Sequence, residues 1–412
     1  MYLKILVLLK PVSAAELRET LDDPWITYMA ALFRAFFPPL LSLAFMMMAS
    51  GLFNTFVPIR LEIEGLTPET IGIVTSALYL GILVGSIKID AWILKAGHIR
   101  AFILFAAVIA MLALLQSFWI DPWFWSALRF LGGICMAGVF IVIESWLLMK
   151  AEPKMRGAVL SIYLAIFYAA LSGGQFLINL SDPESIYPFC IIAIFVILSI
   201  LPISIREIPA PASFQEPARL NLIQLFRISP LGFLGGVISG MLLAAVYGLV
   251  PVYGKEIGLT ISEIGTLMAV IIFGGFLFQW PFGRWADKTD RRKVLVVASI
   301  LTAFVALAIA AIEPTSLLLL FSFGWFFGGF SFALYPLSMA YTCEKVADSQ
   351  IVAVTGGFVL SYGIGAIAGP IAAPFAMGIL GSSGLFYFLA AIALALGIAG
   401  MTRFKNLKAS DY

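Results

Sequence analysis

The chain has 412 residues, of which 62% are hydrophobic and only 12% are charged, and its formal net charge is +2. So few charged side chains could not cover the surface of a water-soluble protein, which indicates a polytopic membrane protein embedded in the lipid bilayer. The small net charge gives no indication of a nucleic-acid partner, and none is expected.

A membrane-spanning helix needs about 20 consecutive apolar residues. Two predicted spans, at about 69–94 and 122–149, carry internal charges. The run 349–402 is long enough for two spans, with Gly381-Ser382-Ser383-Gly384 as the turn between them. The other eight are charge-free runs: 35–59, 101–120, 157–181, 186–205, 228–254, 264–283, 294–312 and 314–343. The sequence therefore predicts an all-α membrane protein with twelve transmembrane helices.

The first 28 residues do not fit this pattern. Their apolar stretch at 5–9 is too short for a span or a signal peptide. They are interpreted either as a cytoplasmic helix lying on the membrane or as residues that precede a natural start at Met29. The predicted division is an extension at 1–28, six-helix bundles at 29–205 and 228–412, and a polar linker at 206–227.

The distribution of Lys and Arg predicts the orientation. Once alternate loops are assigned to opposite sides, all 25 lie on one side except Arg60, Lys88, Arg129 and Lys255. The positive-inside rule then places both termini in the cytoplasm, in a bacterial-type inner membrane.

Few residues are suited to metal or catalytic chemistry. Cys135, Cys190 and Cys343 have no paired spacing, and His98 is the only histidine. The sequence contains no nucleophile elbow, phosphate-binding loop or zinc-protease motif. We expect no metal site, no cofactor and no enzyme activity.

The chain contains an internal repeat. "GLTPETIG" at 65–72 returns 193 residues later as "GLTISEIG" at 258–265. The same offset relates Pro58 to Pro251 and Gly81 to Gly274, which indicates two homologous six-helix halves. Two pseudo-symmetric bundles that rock about a cavity at the membrane midplane are suited to alternating-access transport.

One loop carries a recognisable motif. "GRWADKTDRRK" at 283–293 resembles the loop signature of the major facilitator superfamily, with Asp290 in place of the usual Gly. "GHIRAF" at 97–102, "VIESWL" at 142–147, "ALYPL" at 333–337 and "GIGAIAGP" in the eleventh span resemble the YcaD-like branch of that superfamily. The resemblance implies a major facilitator fold and a transporter, without naming a cargo.

In the superfamily this loop belongs to a cytoplasmic gate, and the repeat places an altered copy in the first half. Asp90 precedes the motif's acidic position by one helical turn, so it is predicted to latch the halves together, with simple interfacial placement as the alternative. Lys88 is expected to extend its ammonium to the headgroups. The predicted gate comprises Lys88, Asp90, Lys95, His98, Arg100, Glu144, Gly283, Asp287, Lys288, Arg291 and Arg292.

Glu144 is predicted to lie near the cytoplasmic side. The resemblance implies that an acidic residue here meets the signature's Arg position, which His98 occupies. A pH-sensitive contact between His98 and Glu144 is one hypothesis, and a solvated loop histidine is the other. No carboxylate is expected near the midplane.

Arg129 is predicted to lie about 10 Å inside the outer end of the fourth span. "RFLGG" at 129–133 resembles the arginine motif of superfamily antiporters. Arg129 is therefore a candidate cargo or coupling residue, with a structural arginine as the alternative. The other cavity candidates are polar or aromatic residues within spans: Asn54, Tyr163, Tyr168, Gln175, Tyr247, Gln279, Tyr335 and Tyr362.

Together these features predict a secondary transporter that acts as a monomer on a small organic solute, anionic or zwitterionic, by proton-coupled export. Uptake or uniport of a metabolite is the alternative within transport. A lipid-handling or receptor-like protein with a transporter fold is the alternative from another class.

Overall fold

A computed structural model of the protein describes residues 24–151, 155–204, 222–311, 316–347 and 350–402. Every regular element within these ranges is helical, and the twelve predicted membrane spans are confirmed. In chain order the spanning helices are α1 (Pro24–Ile63), α2 (Pro68–Lys88), α3 (His98–Gln116), α4 (Pro122–Lys150), α5 (Arg156–Gly174), α6 (Tyr187–Leu198), α7 (Pro230–Glu256), α8 (Ile261–Lys288), α9 (Arg291–Ala311), α10 (Leu317–Cys343), α11 (Ile351–Leu380) and α12 (Gly384–Met401).

Shorter helices complete the architecture. A 3₁₀ segment, Gln175–Leu180, continues α5, and Ile200–Ser204 continues α6. The predicted second span was too long, because α2 ends at Lys88 and a separate helix, Asp90–Ala96, follows the bend at Ile89. Most of the predicted extension and residues 205–221 of the predicted linker lie outside the described residues, whereas Leu222–Ile228 is helical.

Local sequence explains several helix starts. Pro68, Pro122 and Pro230 each open a helix, where the missing backbone N–H of proline carries no penalty. The side chain of Asp121 accepts a hydrogen bond of 2.7 Å from the backbone N–H of Phe124 at the start of α4. Gly381 adopts a φ of 72° between α11 and α12, at the turn that the sequence predicts.

The structure supports the internal repeat. Gly65 and Gly258, repeat partners, have φ values of 78° and 83°, and each is followed two residues later by an extended N-cap threonine, Thr67 or Thr260. Packing repeats too: α2 packs on α4 as α8 packs on α10, and α1 packs on α5 as α7 packs on α11. The two halves therefore share one internal arrangement.

The two ends of the bundle differ in charge. The basic end, as we call it, carries Lys95, Arg100, Arg156, Lys288 and the Arg291–Lys293 run, at the same end of the spans as the first and last described residues, Pro24 and Thr402. The opposite end carries Arg60 and Lys255 as the cations of its described residues.

Candidate functional site

The two halves meet through α2 against α11, α5 against α8, and α7 against α1 and α2. Two hydrogen bonds join them in the half of the bundle farther from the basic end. Ser76 Oγ donates to the Ile367 carbonyl at 2.8 Å, and Ser172 Oγ donates to the Ala269 carbonyl at 2.9 Å. Ser76 lies eight residues into α2, about 12 Å from the opposite end. The halves are thus closed against each other on that side.

Glycines make this closure tight. Gly72 of α2 lies against the carbonyl of Pro370, so closely that a Cβ would clash with it. A Cβ on Gly248 of α7 would lie 2.7 Å from Cγ2 of Thr75. Small residues allow helix backbones to approach in this way.

At the basic end, the signature residues of the second half contact their own bundle. Arg291 Nε lies 3.0 Å from Oε1 of Glu344, and its Nη1 donates to the Ala340 carbonyl at 3.0 Å. Its Nη2 lies 3.5 Å from Oδ1 of Asp287, which precedes it by four residues across the loop between α8 and α9. Arg292 donates to the Gly400 carbonyl at 2.6 Å and to the Thr402 carbonyl. The signature therefore fixes the start of α9 against the ends of α10 and α12.

The remaining predicted gate residues do not form one cluster in this conformation. Lys88, Lys95, Arg100, Asp287 and Lys288 are exposed. Gly283 is half-buried with open space beside its Cα. The side chain of Asp90 lies outside the described part of the chain, so its latch role stays a prediction.

His98 contacts Ser145, the neighbour of Glu144 on α4. It is buried at the start of α3, and its Nε2 lies 3.1 Å from Oγ of Ser145. Ser145 and Glu144 are adjacent on α4 and point about 100° apart. His98 therefore packs on the Ser145 side of α4, while the exposed Glu144 side chain points elsewhere.

Glu144 faces the space between the halves. Its charge acts on Tyr163 of α5 and Tyr335 of α10, one from each half. It lies six residues before the end of α4, about 9 Å from the basic end. This depth near the basic end agrees with the predicted position of Glu144, while the direction of its side chain depends on which neighbours α4 packs against.

Arg129 lies on the same helix near the closed end and is almost fully buried, with 4% of its surface exposed. Its Nη2 lies 3.4 Å from Oδ1 of Asn54, and its guanidinium carbon lies 4.6 Å from the ring centroid of Phe53. Within the described part of the chain, its Nε has no hydrogen-bond partner. Tyr79 of α2 lies within electrostatic range. The arrangement buries a cation among neutral groups, which is costly without an anion.

Most of the predicted cavity tyrosines are brought together at mid-depth. Tyr168 of α5 and Tyr247 of α7 both contact the ring of Phe332, at centroid distances of 5.9 and 6.2 Å. Tyr335 and Tyr362 contact each other at 5.2 Å. The half-buried members of this set are the tyrosines 168, 247, 335 and 362. They form an aromatic surface built from both halves.

Two other predicted residues join this surface. Gln279 of α8 is half-buried and lies beside Tyr168 of the other half. Tyr163 is nearly covered, and its ring lies 6.2 Å from that of Phe167. Asn54 is half-buried and lies in the group around Arg129.

The prediction that Gln175 lines the cavity was wrong. Its side chain is fully buried, and its Oε1 accepts a hydrogen bond from Thr55 of α1. Its Nε2 donates to the Leu171 carbonyl at 3.4 Å. A side chain engaged in this way joins α5 to α1 and does not line a cavity.

Three contributors were not predicted: Phe53, Tyr79 and Phe332. Tyr79 packs beside Tyr247 and Tyr362 and thereby connects the Arg129 group to the aromatic surface. Phe53 could not be predicted, because apolar spans contain many phenylalanines and its only distinguishing feature in the sequence is its position next to Asn54. Within the described residues, no group of three or more His, Cys, Asp or Glu side chains could hold a metal ion.

Sequence comparisons agree with this architecture. The family model described as Major Facilitator Superfamily matches residues 40–260 and 232–409. A protein of Escherichia fergusonii named "Uncharacterized MFS-type transporter YcaD" is 33% identical over 78% of this chain and 84% of its own length. Its namesake in Salmonella newport is 31% identical over 86% of this chain and 91% of its own length.

Solved structures show the same fold. The nucleoside transporter NupG has a TM-score of 0.75 at 16% identity, covering 88% of this chain and 97% of its own. A bacterial homologue of the human lysosomal transporter Spinster, in an inward-facing and unoccupied conformation, has a TM-score of 0.71 at 14% identity, covering 92% and 96%. With two six-helix halves and the signature loop in place, the chain belongs to the major facilitator superfamily of transporters, among relatives named YcaD, and is not an enzyme.

Proposed function

We propose that the protein exports a small anionic or zwitterionic organic solute across the cytoplasmic membrane, in exchange for protons and as a monomer. The observation that supports this cargo class is Arg129. Its guanidinium is buried with neutral neighbours, and its Nε has no hydrogen-bond partner among the described residues. An arginine presents several N–H donors in a planar fork that suits a carboxylate or phosphate.

The orientation in the membrane is part of the proposal. The positive-inside rule places the basic end in the cytoplasm. The closed end, with its contacts at Ser76 and Ser172, is then the outer side. The structure is accordingly assigned to the inward-facing state, in which cargo enters from the cytoplasm.

Alternating access then requires the outer contacts to open and the basic end to close. The aromatic surface at mid-depth, formed by tyrosines from both halves, is suited to hold the organic part of the cargo. The Arg129 group lies deeper, toward the closed end, and is suited to hold its anionic part.

A thermal-shift screen of the purified protein in detergent tests the cargo class. The library contains organic acids, amino acids, peptides, sugars and common drugs, together with nucleosides, the cargo that the name of NupG indicates for that protein. A ligand that binds only the folded state raises the melting temperature. Anionic or zwitterionic hits are expected.

Two variants test whether the hits bind at Arg129. Arg129→Ala is expected to lose them. Arg60→Ala removes another buried arginine, at the closed end, whose Nη2 lies 2.7 Å from Oε1 of Glu64. This variant is expected to keep the hits. Hits that survive Arg129→Ala, or hits confined to cations, would contradict the proposed cargo class.

A further inference from the structure

The group around Arg129 leaves one positive charge to be balanced. The guanidinium lies 3.4 Å from Oδ1 of Asn54 and 4.6 Å from the ring centroid of Phe53, and both of these groups are neutral. An amide holds the guanidinium in place without neutralising it, whereas a carboxylate at the same position would form an ion pair with it. The charge of Arg129 therefore suits a bound group that carries one negative charge.

The same group offers no partner for a positive charge. The helices that carry it are α1, α2 and α4, and their only carboxylates are Glu62, Glu69 and Glu144. Each lies at least about 12 Å along its helix from Asn54, Tyr79 or Arg129. An ammonium group beside a carboxylate bound to Arg129 would thus have no anion of the protein to pair with.

Tyr79 connects Arg129 to the aromatic surface. The backbone of α2 at Gly81 lies against the carbonyl of Phe130 on α4, so closely that a Cβ would clash with it. Tyr79 and Arg129 each lie within one helical turn of this contact, so they share one depth in the membrane. Tyr79 is also part of a packed cluster with tyrosines of α7 and α11. The guanidinium and the aromatic surface therefore form one continuous site.

The rings beyond Tyr79 are open to a bound molecule. Tyr247 and Tyr362 pack against the cluster that contains Tyr79. The ring of Tyr247 contacts Phe332 at 6.2 Å, and the ring of Tyr362 contacts Tyr335 at 5.2 Å. The three tyrosines of the second half are half-buried, and no described residue forms a hydrogen bond with their hydroxyls. Ring surfaces and hydroxyls are thus available next to the bound anion.

Aromatic rings pack against one another edge to face or offset, which adds affinity beyond that of the area they bury. A planar aromatic group should therefore bind this surface more tightly than a saturated ring of similar size. We propose that the cargo is an aromatic monoanion, whose anionic group is held by Arg129 and whose ring packs on Tyr79, Tyr247 and Tyr362.

This inference rests on the proposed function and narrows its cargo class. The negative charge of the cargo follows from Arg129 alone. The aromatic ring follows from the tyrosines, and the single charge follows from the distance to the nearest carboxylates. Each part can therefore fail without the others.

Four small molecules of one skeleton test the proposal on the full chain. Phenylacetate is the aromatic monoanion, cyclohexylacetate has a saturated ring, phenylglycine adds an ammonium group, and phenylacetamide is uncharged. The dissociation constant of each is obtained from the dependence of the melting temperature on ligand concentration, in detergent at about pH 7.5. The same titrations with Arg129→Ala measure the effect of ligand that partitions into the micelle.

Phenylacetate is expected to bind about three- to tenfold more tightly than cyclohexylacetate, the ratio that aromatic packing provides. Phenylglycine is expected to bind more weakly than phenylacetate, and phenylacetamide to give no shift beyond that of Arg129→Ala. Tyr247→Leu should abolish the preference for the aromatic ring, and Tyr247→Phe should retain it. Tyr187→Leu, the same change at an exposed tyrosine of α6, should behave like the wild type.

The absence of a shift with phenylacetate, or binding of cyclohexylacetate at equal or higher affinity, would overturn the aromatic assignment. Equal or tighter binding of phenylglycine would overturn the single charge, and a preference retained in Tyr247→Leu would overturn the placement of the ring. If Tyr247→Leu does not fold, the four titrations of the wild type still decide. None of these results contradicts the proposed function, which fails when anionic hits survive Arg129→Ala or when the hits are cations.

Discussion

The guanidinium of Arg129 lies 3.4 Å from Oδ1 of Asn54 and stands over the ring of Phe53, so both of its nearest recorded contacts are neutral groups of α1. A buried cation held in this way contributes little to stability. We infer that the role of Arg129 is to bind the anionic group of the cargo.

Arg129→Met should separate stability from function. Methionine fills a similar volume without a charge, and replacing buried charged groups with apolar ones is commonly neutral or stabilising by up to about 4 kcal/mol. We expect an unchanged or higher melting temperature together with loss of anionic ligand shifts. A clear fall in melting temperature with retained ligand shifts would instead make Arg129 a structural residue.

Gly248→Leu should open the closed end. Its side chain would enter space that Thr75 occupies, since even a Cβ lies 2.7 Å from Thr75 Cγ2. We expect a Ser172→Cys reporter, buried in the parent structure, to react about tenfold faster with a membrane-impermeant maleimide, the change that a shift of roughly 1.4 kcal/mol produces.

The control for this experiment is Gly157→Leu, because no atom lies within 4 Å of a Cβ at that position. Its reporter should react as slowly as in the parent. Gly248→Ala is a milder substitution, included in case Gly248→Leu misfolds. We expect it to raise the labelling rate of the reporter by a smaller factor. Equal labelling of the parent and both Gly248 variants would show that the glycine does not hold this end closed.

Thr55 and Gln175 should behave as a packing pair. Either Thr55→Val or Gln175→Leu leaves one buried polar group unsatisfied, which costs about 1–3 kcal/mol. The double variant removes both groups, so its loss of stability should be less than the sum of the two single losses. Thermal unfolding of the three variants measures this, and additive losses would argue against the pairing.

Arg291→Lys should slow turnover without weakening ligand binding. Lysine keeps the charge but cannot contact Glu344, Asp287 and the Ala340 carbonyl together as the arginine does. We expect a lower transport rate in proteoliposomes and an unchanged thermal-shift midpoint for the same ligand. Weaker ligand binding would place Arg291 nearer the cargo than the structure does.

The number and approximate positions of the spans could be predicted because the bilayer imposes them. Each span needs enough apolar residues to cross it, and glycine or proline punctuates the loops, as at Gly381 and Pro68. The internal repeat could also be predicted, since the turn at Gly65 needs the same positive φ as the turn at Gly258.

The direction of individual side chains could not be predicted. Helical periodicity relates Glu144 to Ser145 but does not show which of them faces α3, and His98 bonds to Ser145. Similarly, nothing in the sequence distinguishes Gln175, which is bonded to Thr55, from Gln279, which lies on the aromatic surface. Those differences arise from packing between segments more than 40 residues apart.

Transport of a thermal-shift hit into proteoliposomes tests the central claim most directly. Vesicles with an imposed pH gradient would contain wild type, Arg129→Met or Arg60→Ala, and uptake of the radiolabelled hit would be followed with and without a protonophore. The account predicts gradient-driven accumulation by wild type and Arg60→Ala, abolished by the protonophore and absent from Arg129→Met. Equal accumulation by wild type and Arg129→Met would contradict it.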